Sequence, residues 1–236
     1  MNENSEKISM RTGYYVSLVT AIITICTFAV ALMTPPLSGP GCTGDCFEYP
    51  YSDIISRFPR DYYWMYPTMA ISILFVFLMI TVHYFSDSGH KIFSHAGFAI
   101  SVISASILIL NYYIQVSIIQ PALLNGETEG IALITQYNPH GLFIALEEIG
   151  FFLMNLAFFV IIPVFANKGG VYKAIRLTYL TGSILALFSL IFVSIKLGIR
   201  REYILEIIII SIVWLELIIS SILLSIVFRR KMKGIE

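Results

Sequence analysis

Charge is what this chain of 236 residues has least of: Asp, Glu, Lys and Arg make up 13% of it, where ordinary soluble domains carry about 25%. Hydrophobic residues make up 57% and the mean hydropathy is +0.81. One core cannot hide that much apolar surface, which excludes a soluble fold. Neither sign is in excess, with 15 basic residues against 15 acidic ones, so no basic face points to nucleic acid. Cysteine is scarce, at three residues, and no Cys-x-x-Cys pair recurs as a zinc site would require. His-Glu-x-x-His, the Gly-x-Ser-x-Gly elbow and a Gly-rich phosphate loop are all missing. His83, His90, His95 and His140 fall in loops or near the ends of apolar runs, where interfacial anchoring explains them better than a His83–His95 metal pair. No cofactor can be argued. Internal repeats, linkers and low-complexity tails are missing too, so the whole chain, 1–236, reads as a single domain.

What is present is length in apolar runs. A membrane-crossing helix needs about 20 mainly apolar residues. Six stretches qualify, at about 14–34, 64–85, 95–120, 142–165, 172–196 and 203–228. The runs are continuous, which disfavours the short alternating strands of a membrane barrel. Pro35 and Pro36 are expected to close the first span and Pro121 the third, while Gly169 and Gly170 mark the turn between spans four and five. The fold class that follows is an all-α integral membrane bundle of about six transmembrane helices, with the lipid bilayer as its first partner.

Lys and Arg in the flanks set the orientation. With the N-terminus inside, the cytoplasmic flanks collect Lys7, Arg11, Lys91, Lys168, Lys173, Arg176 and the Arg229–Lys233 cluster. The outer flanks hold Arg57, Arg60, Lys196, Arg200 and Arg201, and 121–141 holds none. Both termini are therefore expected in the cytoplasm. Lys7, Arg11 and the Ala29-Val30-Ala31 string also resemble a cleavable secretory signal. The length of the apolar run favours a retained helix.

The longest connection, 35–63, then lies outside. Its Cys42-Thr-Gly-Asp-Cys46 reads as a small disulfide staple, since a redox dithiol usually spaces its sulfurs one residue closer. Cys26, in the middle of span one, reads as packing. Tyr49, Tyr51, Tyr62, Tyr63, Trp64 and Tyr66 read as an interfacial aromatic belt, with a sugar- or lipid-binding platform as the less favoured reading.

Polar groups inside spans are costly, at about 3 kcal/mol or more for a charge. Span three carries Asn111, Tyr112 and Gln115, span four carries Glu147, Glu148 and Asn155, and span six carries Glu206 and Glu216. At ~1.5 Å per residue, Asn155 and Glu216 each fall about 20 Å along spans that run in the same direction. Gly97, Ser101, Ser104, Leu108, Asn111 and Gln115 form a small and polar stripe of the kind that faces another helix. Thr178, Gly182, Leu185 and Ser189 form a weaker one in span five. The expectation is a polar cavity among spans three, four and six, open to the outside and ending near Glu216. Asn111, Gln115 and Asn155 can equally be interhelical glue. Glu147, Glu148 and Glu216 are the candidate binding acids, with Glu216 the deepest.

The string Tyr137-Asn-Pro-His-Gly-Leu-Phe-Ile-Ala-Leu-Glu-Glu148, leading into Gly150 and Asn155, resembles segments of uncharacterised prokaryotic multi-pass membrane proteins of similar length. The resemblance covers mainly spans three to six. It implies a cytoplasmic-membrane location but supplies no activity, substrate or site. Asn138-Pro139 lacks the second copy and the alanine of an aquaporin. The leading expectation is a small transporter or channel for a proton, cation or small solute. An accessory or assembly subunit without catalysis is the second reading, and an enzyme acting on a lipid-like substrate the third.

Overall fold

The computed structural model describes residues 3–34, 37–39, 42–166 and 169–234, with side chains from residue 7 onward. Pro35, Pro36, Pro40, Gly41 and Lys168 lie outside the described residues. Among those described, all regular structure is helical: α1 (Glu3–Leu32), α2 (Met65–Phe85), α3 (Lys91–Ile114), α4 (Gln120–Leu124), α5 (Ile131–Ile134), α6 (Leu142–Val160), α7 (Val171–Leu197) and α8 (Glu202–Met232), with short 3-10 turns between them. Six helical stretches are long and apolar enough to cross a membrane: Lys7–Leu32, Arg60–Phe85, Ser88–Leu124, Leu142–Phe165, Val171–Arg200 and Glu202–Met232.

Besides an earlier start of α3 at Lys91 and a later end of α8 at Met232, two boundaries differ from the sequence reading in kind. α1 begins at Glu3, well before Tyr14, because the residues ahead of the apolar run include good helix formers such as Glu, Lys, Met and Arg and no proline. Pro121 does not end the third span. A π-helical turn, Gln115–Ile119, carries α3 into α4, and Pro121 sits in the first turn of α4, where a missing N–H costs least.

The long helices form a ring in the order α1, α2, α3, α6, α7, α8, closed by α8 on α1 and braced across by α6 against α8. The α3 stripe from Gly97 to Gln115 is buried and faces α6. Ser104 donates a 2.7 Å hydrogen bond to the Gly150 carbonyl, and a Cβ on Gly150 would come within 2.5 Å of Leu108. This is small-residue packing of the membrane kind. α1 has a comparable face, with Met10, Gly13, Ser17, Thr20, Thr24 and Thr27 all buried. The hydroxyls of Ser17 and Thr24 donate to carbonyls one turn back at 2.7 Å, which satisfies them before they meet α8. A Cβ on Gly13 would come within 2.9 Å of the Phe228 ring.

Two assignments are corrected. Cys26 is exposed on the opposite side of α1, since the hydroxyl stripe takes the packed face. On α7 the buried residues are Ile175, Tyr179, Gly182, Ala186 and Val193, and Leu185 is 46% exposed. The Tyr179 ring stacks on Phe158 at 4.8 Å, and burying that ring turns the helix away from the Thr178–Ser189 register.

The connections α1–α2, α4–α6 and α7–α8 meet at one end of the bundle. Ser38 donates to the Tyr137 carbonyl and lies 2.6 Å from the Tyr203 hydroxyl. The Cys42 and Cys46 sulfurs are bonded to each other in the same loop.

Candidate functional site

A cavity of about 440 Å³ opens beneath these connections, between the ends of α1 and α2 and the facing sides of α6 and α8. Its apolar wall includes Phe28 and Leu32 of α1, Phe143 and Ile144 of α6, and Ile207 and Ile210 of α8. Asp61, Gln136, Tyr137, Glu147, Tyr203 and Glu206 bring oxygen and nitrogen atoms to it. Leu32 and Ile207 are 72% and 48% exposed on the outside of the bundle, so the cavity reaches the surface between α1 and α8. Both tryptophans of the chain, Trp64 and Trp214, line it. Trp214 meets Phe28 edge-on at 5.5 Å, and its buried indole N–H has no acceptor among the described residues.

Four acids on the candidate spans fall into three settings. Glu147 and Glu206 approach each other within hydrogen-bonding range across the α6–α8 contact. Tyr112 of α3 donates to Glu147 Oε1 from behind, while Glu147 Oε2 is buried without a donor. Among the described residues neither acid has a cationic partner. Glu148 points the other way, as the ~100° step between neighbours on a helix requires, and accepts a 2.6 Å bond from Arg201. Glu216 does not line the cavity. It accepts a 2.7 Å bond from Asn155 and packs on α7, where a Cβ on Gly182 would lie 2.7 Å from its carboxyl. The two residues that helical rise puts at one depth do meet, but in a closed joint between helices.

The remaining candidates serve the frame. Asn111 donates to the Phe143 carbonyl at 3.0 Å. Gln115 donates to the Ile134 carbonyl at 2.7 Å and accepts from the Gln136 N–H at 2.9 Å, holding the segment that presents Gln136 and Tyr137 to the cavity. The cavity therefore lies among α1, α6 and α8 with the start of α2, not among spans three, four and six, and it does not extend to Glu216. Span three reaches it only through Tyr112 behind Glu147.

Asp61 is a site residue that sequence reasoning passed over. It is 2% exposed and lines the cavity, yet it sits beside Arg57 and Arg60 ahead of an apolar run and looks like loop charge. Arg57 binds it at 2.9 Å, with Arg60 at 4.0 Å, and the Tyr137 hydroxyl donates to it at 3.3 Å. Burial, with Tyr62 and Asp61 nearby, pushes the Tyr137 hydroxyl above its ordinary value, so it remains a donor.

The aromatic belt also divides. Tyr49, Tyr63 and Tyr66 are exposed, whereas Tyr51, Tyr62 and Trp64 are buried. Tyr62 extends inward toward Gln120, Gln136 and Tyr137. The described residues hold no group of three or more His, Cys, Asp or Glu side chains able to share a metal ion. His83 and His95 stand with ring centres 5.7 Å apart at the other end of the bundle, where His83 Nδ1 is engaged by Ser94 at 2.9 Å. No protein-family model, curated protein or solved structure matches the chain.

Proposed function

We propose that this chain is a multi-pass protein of a prokaryotic cytoplasmic membrane, with both termini inside, that takes up a proton, cation or small cationic solute through the cavity at its outer end. The observation that carries this reading is the Glu147–Glu206 pair. Two carboxyl groups from different helices meet at a cavity wall, and among the described residues no cation stands beside them. Two buried acids in contact repel when both are ionised, and a proton or cation between them relieves that repulsion. Glu148, by contrast, has Arg201, and Glu216 sits in a closed joint with Asn155 and Gly182 rather than at the cavity. An accessory subunit would use the closed Glu216 joint but has no need for an open acid pair.

The test is flux. Protein reconstituted into vesicles loaded with a pH-sensitive dye is challenged with gradients of protons, Na⁺, K⁺ or ammonium. We expect a signal above empty vesicles that falls at least about tenfold in Glu147→Gln and Glu206→Gln, the effect of about 1.4 kcal/mol in binding. Glu216→Gln keeps at least half of it. Absence of flux for every ion, or equal flux in all variants, would hand the cavity to the subunit reading.

A further inference from the structure

We infer that the ligand of this cavity is an organic ammonium ion with an apolar body, which enters from the bilayer side between α1 and α8. The inference rests on the reading of Glu147 and Glu206 as a cation-binding pair and specifies which cation. A bare metal ion is held by a close shell of oxygen atoms, whereas these two carboxyls border a space of about 440 Å³. That volume falls within the range of small-molecule sites, about 300–1,000 Å³. Much of the remaining wall is aromatic and aliphatic, with Phe28, Trp64, Phe143, Ile210 and Trp214 contributing beside the polar Asp61, Gln136, Tyr137 and Tyr203. Aromatic faces attract alkylated ammonium groups, and desolvation strengthens the attraction.

Two further observations point to an occupant. The Trp214 indole N–H is buried at the cavity without an acceptor among the described residues, and buried polar atoms of native proteins ordinarily have a partner. The other charges at the wall are already balanced, since Arg57 and Arg60 flank Asp61. The acids of the wall with no cation beside them among the described residues are therefore Glu147 and Glu206. The path to it runs past Leu32 and Ile207, which are exposed on the flank of the bundle, so an apolar body can enter from the acyl chains while its charged head moves toward the acids.

The chain carries its own reporters, because its two tryptophans both line the site. Intact protein in nanodiscs is titrated with tetrapropylammonium chloride, sodium chloride and the uncharged probe 3,3-dimethylbutanol while tryptophan emission is recorded. The expected result is a saturable change with tetrapropylammonium alone, weakened roughly tenfold or more in Glu147→Gln and Glu206→Gln. In a background lacking Cys26, Cys42 and Cys46, tetrapropylammonium also protects Ser211→Cys, a position on the cavity wall, from a small thiol reagent. That second readout leaves both acids in place and serves if the Gln variants misfold.

A carboxylate-dependent response or flux with sodium or protons, and none with tetrapropylammonium, would overturn the organic-cation inference and leave the acid pair as a cation site. Equal responses to tetrapropylammonium and 3,3-dimethylbutanol, indifferent to both Gln substitutions, would overturn it as apolar partitioning. Absence of any ligand response together with absence of carboxylate-dependent flux would overturn both this inference and the reading beneath it.

Discussion

At the residue scale, identical carboxyl groups acquire different roles from their nearest neighbours. Glu216 is committed to structure by two contacts, the Asn155 amide and the bare Cα of Gly182. The second contact is testable. A methyl group at 182 would stand 2.7 Å from the Glu216 carboxyl carbon, so Gly182→Ala must push the acid off its seat. Overpacking of this kind costs about 1–3 kcal/mol. In Glu216→Ala the obstruction is gone, so Gly182→Ala should cost less there than in the wild-type background. A double-mutant cycle by denaturant titration in micelles measures the difference; equal costs in both backgrounds would show that Glu216 does not occupy this joint. The Asn155–Glu216 contact was legible in the sequence because helical rise is constant and the two spans run parallel. The Glu147–Glu206 contact was not, since Glu206 lies near a span end and only the packing of α6 on α8 brings it inward. Asp61 was hidden for a different reason: its burial depends on a loop folding back beneath Tyr137, and hydropathy carries no record of that.

At the element scale, the helices and most of their extents follow from apolar length alone, while the faces they bury follow from side-chain chemistry. The α3 stripe was readable because small and polar residues repeat along it and have no use in lipid. The α1 stripe is less conspicuous, since Ser and Thr also serve as ordinary membrane residues once their hydroxyls bond to their own helix. The exit of α3 was misread because proline is a dependable stop only where no π turn absorbs it. That exit matters to the site. Gln115, in the π turn, holds the Ile134 carbonyl and the Gln136 N–H with one amide, fixing the segment that carries Gln136 and Tyr137. Gln115→Leu keeps the bulk and removes both bonds, leaving two backbone groups that cost about 1–3 kcal/mol each when desolvated and unpaired. Hydrogen exchange read by mass spectrometry should show residues 131–138 exchanging at least about tenfold faster, with α6 and α8 unchanged. Unaltered exchange across 131–138 would mean that the Asn138 bond to the Ala132 carbonyl, at 2.7 Å, holds the segment by itself.

At the scale of the whole molecule, the side of the membrane that the cavity faces decides whether it samples the exterior. The bonds from Ser38 to Tyr137 and from Arg201 to Glu148 tie the connections at the cavity end together. The opposite end carries the Lys91 turn and the Arg229–Lys231 cluster of α8. Cytoplasmic flanks gather Lys and Arg, which is the ground for the proposed placement of the cavity end outside. Arg57 and Arg201, which oppose the bias, are the arginines bound to Asp61 and Glu148, so they have a local reason to be where they are. The orientation is measured with single cysteines in a background with Cys26, Cys42 and Cys46 replaced by serine. Asn125→Cys lies in the α4–α5 connection, and Ile199→Cys in the α7–α8 turn, where the native side chain is 95% exposed. Both should react with a membrane-impermeant maleimide on intact cells. Ser88→Cys, between α2 and α3, and Lys233→Cys, after α8, should react only once the membrane is opened. The reverse pattern would invert the protein and turn the cavity toward the cytoplasm, making it a site for exported rather than imported cations. Labelling of positions 125 and 88 from the same side would mean that α3 does not cross the bilayer, and the six-span arrangement would fail with it.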